Sequence, residues 1–87
     1  IFRTYAAEYL LVGDLTHAIL RTITESIERM DGVETIDLQY SLATGTADRS
    51  VLLVVSVRKR ERVRDIDSYL GAMSERHDFL LIRGMGV

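Results

Sequence analysis

Eight consecutive residues, Ser50 to Val57 (SVLLVVSV), constrain this chain more than any other feature. A half-buried strand needs apolar side chains at every second position only. Here Val51, Leu53, Val55 and Val57 form one alternate set, and Leu52 and Val54 supply apolar residues to the other. The run therefore predicts a central strand, apolar on both faces. It sits in a chain of 87 residues, enough for one small domain and too short for two separate cores. The chain opens on Ile1 and not on methionine, so residues 1–87 are expected to be one domain excised from a longer protein.

The rest of the chain has matching periods. Phe2 to Val12, with Phe2, Tyr5 and Tyr9, predicts a first strand. Gly13-Asp14 then breaks the pattern, and Asp14 is a candidate helix cap. Ile19, Leu20, Ile23, Ile27 and Met30 follow a 3.6-residue period, and Asp31-Gly32 ends that helix. From Val33 to Leu42 the chain alternates: Ile36, Leu38, Tyr40 and Leu42 point one way, with Thr35, Asp37, Gln39 and Ser41 opposite. One wet face is the mark of a sheet edge. A turn is expected over residues 44–48, then the apolar strand. A second helix follows from Glu61 to Arg76 with Val63, Ile66, Leu70 and Met73 inward, and a last short strand runs from Phe79 to Ile82. The order β-α-β-β-α-β predicts an α+β, ferredoxin-like sandwich. Two interleaved crossovers make a four-stranded antiparallel sheet with both helices on one face.

Such a sandwich covers one face of its sheet only. Leu52 and Val54 then fall on the open face, where a leucine or valine loses about 1.5–3 kcal/mol of burial. They are the expected interface residues, meeting either a second copy or a neighbouring domain of the parent chain.

Composition removes several chemistries. Without cysteine there is no disulfide framework, thiolate zinc site or thiol nucleophile. The longest uncharged stretch is ten residues, Leu38 to Ala47, far below the roughly 20 of a membrane-spanning helix. No catalytic set is expected: Asp14, Glu25, Asp31, Asp65 and Asp67 suit solvated positions, and no serine sits on a Gly-x-Ser-x-Gly elbow. His17 has Arg21 at i+4 and His77 ends a helix, so no metal or cofactor is expected. Nucleic acid is not an expected partner, since Leu52, Val54 and Ser56 stand where stacking rings are needed and the net charge is −2.

That charge is uneven. Residues 1–44 carry three arginines against seven acids, whereas residues 45–87 carry eight bases against six acids. Arg58, Lys59, Arg60, Arg62 and Arg64 form one basic run at the junction of the third strand and second helix. It could be a solvated strand end, face anionic lipid if the parent is membrane-bound, or accept the acidic patch of a neighbouring copy.

The whole chain resembles an ACT-like regulatory domain. The features are a first strand ending at Val12-Gly13, a helix opening Asp14-Leu15-Thr16, Gly32-Val33 leading into the second strand, and the aliphatic third strand. It is similar also to the ligand-sensing domain of the Lrp/AsnC regulators, through Thr44-Gly45 and Asp48, and to ACT-like cytosolic domains of MgtC-type membrane proteins. The resemblance implies a non-enzymatic, bacterial, cytoplasmic regulatory domain that dimerises and binds a small effector, such as an amino acid. In this sequence the effector would meet Gly13, Asp14, Leu15 and Thr16. The alternative it implies is an assembly module on the cytosolic side of a membrane transporter, reaching the membrane only through its parent, with no small ligand.

Overall fold

In the computed structural model, which describes residues 3–41 and 49–84, the elements run β1 (Tyr5–Gly13), α1 (His17–Glu28), β2 (Val33–Ser41), β3 (Arg49–Val57), α2 (Arg60–His77) and β4 (Leu80–Arg83). The expected turn at 44–48, Phe2 and Leu42 lie outside the described residues. All three pairings are antiparallel and the sheet order is β2-β3-β1-β4, so the fold is the α+β, ferredoxin-like sandwich. β3 is central, as its composition requires.

Pairing in register decides which side chains share a face. Val51, Leu53, Val55 and Val57 of β3 lie opposite Leu11, Tyr9, Ala7 and Tyr5 of β1. All four β3 residues are fully buried, and Ala7, Tyr9 and Leu11 are buried with them. Against this face α1 sets Leu20, Ile23 and Ile27, and α2 sets Ile66, Leu70 and Met73. Both helical triplets follow the 3.6-residue spacing that keeps one stripe on the core.

Polar ties fasten the ends. Gly84 donates its amide to the Glu8 carbonyl at 2.7 Å, holding the residue that follows β4 against β1. Arg83 Nε donates to Asp67 at 2.8 Å and so joins β4 to α2. Asp67 also neighbours the Tyr9 phenol. Burial first, and the Asp67 carboxylate second, push that phenol well above the usual tyrosine range.

Two outcomes follow from this core. Leu53→Ala should cost about 2–5 kcal/mol in denaturant unfolding, because the surrounding strands relax only partly into the space left. A loss under 1 kcal/mol would contradict the packing. Tyr9 stays protonated in the fold, and its unfolded phenol titrates near pH ~10. Its contribution is therefore complete below that pH and is lost as pH rises further. Tyr9→Phe should raise the pH midpoint of alkaline unfolding, followed by near-ultraviolet absorbance. An unchanged midpoint would place that sensitivity elsewhere.

Candidate functional site

Three regions carry the residues that the sequence singles out. The first is the loop from β1 to α1. Gly13 has φ +154°, and a Cβ there would lie 3.0 Å from Phe79 Cβ and 3.2 Å from Phe79 Cα. Glycine is thus required both by its positive φ and by close packing. Leu15 is buried, donates its amide to the Gly13 carbonyl at 2.9 Å, and belongs to the core. Thr16 is the helix cap: its Oγ1 accepts from the Ile19 amide at 3.2 Å. The cap expected at Asp14 is corrected accordingly. Two residues upstream of Thr16, Asp14 lies beyond the capping position, and Leu15 and Leu20 occupy the staple positions on either side of the first turn. Asp14 is exposed, which leaves it as the loop's one side chain without a structural task shown here. α1 carries no acid in its first turn, so its leading amides keep their partial positive charge.

From His17 onward, beyond the loop, lies a groove that sequence reasoning missed. α1 and the edge strand β2 enclose a cleft of about 350 Å³. Leu20, Leu38 and Tyr40 form its apolar floor and wall, with Thr24 between them. Along its helical rim stand His17 and Arg21, then Glu25 and Glu28. The spacing i, i+4, i+8, i+11 puts these four on one stripe, with cationic capacity at one end and two acids at the other. That stripe was present in the sequence. What the sequence withheld was the neighbour: only the sheet order shows that β2 lies alongside it. Tyr40 points to the helix side as expected, yet it is 53% exposed at the end of the edge strand.

The second region is the uncovered face of the sheet. Register places Gln39, Leu52, Leu10 and Ile82 in one row across all four strands. Val12 and Leu80 form the row beside it, and Val54 stands between Asp37 and Glu8 on the other side. Leu52 and Val54 are therefore on the open face, and four further aliphatics join them. Leu80 and Ile82 are 59% and 46% exposed, and Leu10, Val12, Leu52 and Val54 are half-buried. Leu10 and Val12 could have been found from the mixed apolar parity of β1.

The third region is the basic run, and much of its charge is answered within the chain. Arg58 pairs with Glu34, which raises its pKa, and Lys59 Nζ lies 3.6 Å from Asp31. Arg62 pairs with Asp65 at 2.6 Å and donates from Nε to the Asp31 carbonyl at 2.7 Å. These contacts tie the α1–β2 turn to the start of α2, and Gly32 (φ +86°) lets that turn accept the Arg58 amide at 2.8 Å. Arg60 and Arg64 are exposed. Being exposed, these pairs add little stability singly; they orient the junction.

Among the described residues no three His, Asp or Glu side chains converge on a point where a metal ion could sit. Among the described residues, too, no helix is long and apolar enough to cross a membrane.

Comparison with known proteins bears on the fold. No family model matches the sequence, and no curated protein matches it. Solved structures do match. A de novo designed protein, Foldit4, aligns over 94% of each chain with a TM-score of 0.75 and 10% identity. The crystal structure of the ACT domain from GTP pyrophosphokinase of Chlorobium tepidum aligns over 94% of this chain and all of its own, with a TM-score of 0.57 and 17% identity. The solution NMR structure of that ACT domain aligns over 97% of this chain and 90% of its own, with a TM-score of 0.55 and 16% identity. A designed protein and a natural ACT domain both match this chain at low identity, so the matches speak for the fold and not for a ligand. The chain has an ACT-like, ferredoxin-like fold.

Proposed function

We propose that this chain is a non-enzymatic regulatory domain that pairs with a second copy through its open sheet face and senses a small zwitterionic metabolite at the loop 13–16. The observation that carries this reading is the contiguous apolar patch of Leu10, Val12, Leu52, Val54, Leu80 and Ile82 on the sheet face opposite both helices. Aliphatics gathered in this way on an otherwise solvated surface mark an association surface. A second copy is the occupant, because a twofold pairing lays the same patch against itself and needs no other partner.

For the sensing role, the loop supplies the N-terminus of α1 and the exposed Asp14, and the α1–β2 groove begins at His17, the residue after it. An α-amino acid presents a carboxylate and an ammonium group within a few ångströms. His17 and Arg21 suit the first and Glu25 the second, one helical turn further on. Gly13, Leu15 and Thr16 would contribute through backbone, since packing and capping already occupy them. The transporter-module alternative gains less support, as Arg58, Lys59 and Arg62 have carboxylate partners within the chain.

Leu52→Glu should leave the circular dichroism spectrum and monomer stability near those of the parent while abolishing association in sedimentation velocity. Unchanged sedimentation would remove the open face as the interface. For the sensing role, calorimetric titration with a panel of free amino acids should give a binding isotherm. Asp14→Ala should weaken that binding about tenfold with an unchanged melting temperature. No heat from any amino acid at millimolar concentration would remove the sensing role and leave the association. Gly13→Ala is uninformative here, since it perturbs the packing against Phe79 whatever the ligand.

A further inference from the structure

The open face of the sheet carries charge of one sign only. Register puts Asp37, Val54 and Glu8 in a single row across β2, β3 and β1, so two carboxylates flank an apolar residue of the patch. Both acids are exposed. Beside Glu8 stand Ala6, Leu10, Val54 and Gly84, and beside Asp37 stand Thr35, Gln39 and Val54, none of them titratable. The ion pairs among the described residues engage Asp31, Glu34, Asp65 and Asp67, and neither Glu8 nor Asp37. The nearest base along β3 is Arg58, about 13 Å beyond Val54 and already paired with Glu34. Arg49 and Arg83 oppose Gly13 and Tyr9 and so belong to the helix side of the sheet, where His17 and His77 also lie, on α1 and α2.

This acidic row cannot stay outside an interface on that face. A stable interface buries about 800 Å² on each partner. Four strands about 4.8 Å apart and at most nine residues long span roughly 20 Å by 30 Å, so association takes the whole face. Val54 belongs to the patch, and whatever covers it covers Glu8 and Asp37, each one strand away. In a twofold pairing each copy brings the same two acids and the same lack of a base. A carboxylate taken from water with no cation to meet it loses its hydration and gains nothing in exchange. The protonated acid is neutral and donates a hydrogen bond, so it is the form that a closed interface accepts.

We infer that pairing through the open sheet face is proton-linked: Glu8 and Asp37 take up protons as two copies close, so acid strengthens the association and neutral pH holds it weak. This rests on the sheet-face pairing proposed above. The paired state binds more protons than the free chains do. Affinity therefore rises as pH falls toward the carboxylate range near ~4, and is lost as pH rises out of it. At neutral pH the same two charges guard a face of exposed aliphatics against indiscriminate association.

Sedimentation equilibrium at neutral pH and at pH ~5 tests the linkage, with circular dichroism at both to show the fold intact. The dissociation constant of the unaltered chain should fall about tenfold from neutral pH to pH ~5. The double variant Glu8→Gln, Asp37→Asn should pair at neutral pH at least as tightly as the unaltered chain does in acid, and should ignore pH across that range. Each single substitution should remove part of the dependence. A pH dependence that survives in the double variant would assign the protons to other groups, His17 and His77 first, and would overturn the inference. Equal affinity of the unaltered chain at both pH values would overturn it too and spare the sheet-face reading. A chain monomeric at both, in the double variant as well, would overturn the sheet-face reading itself.

Discussion

Everything in this structure hangs on the inward row of β3. Val51, Leu53, Val55 and Val57 are fully buried between two neighbouring strands and under two helices. Their burial holds β1 and β2 to one sheet and gives both helices a surface to pack on. In a chain of 87 residues nothing else can carry that duty, because no disulfide or thiolate metal site is available. The same strand creates the functional question. A strand apolar on both faces, set in a sheet with helices on one side only, leaves Leu52 and Val54 on the side away from the helices.

The regions around the core divide by their physical tasks. Gly13, Leu15 and Thr16 are explained by close packing, core burial and capping, and Asp14 alone is left over. The basic run is largely an internal clamp between the α1–β2 turn and the start of α2. The apolar open face is explained by neither stability nor clamping. That face, the α1–β2 groove and the exposed Asp14 are what core packing and clamping leave over.

The fold was legible because its signals are periods. Alternation along Val33–Ser41 and doubled apolarity along Ser50–Val57 identify an edge and a centre without any neighbour being known. The capping residue was less legible, since Asp14 and Thr16 are both good caps. The deciding signal was the pairing of Leu15 with Leu20 across the first turn, which is readable in principle. The groove and the Arg58–Glu34 pair were not legible. Each joins residues from different elements, and only the sheet order brings His17 and Arg21 beside Tyr40, or residue 58 beside residue 34. Likewise, the row from Gln39 through Leu52 and Leu10 to Ile82 exists only once the register is known.

The central claim is that this small domain completes itself with another copy. Sedimentation equilibrium of the unaltered chain over a wide concentration range tests it most directly. A reversible species of at least twice the chain mass, growing with concentration, is the predicted result. A single monomer mass at every concentration, up to millimolar, would contradict it.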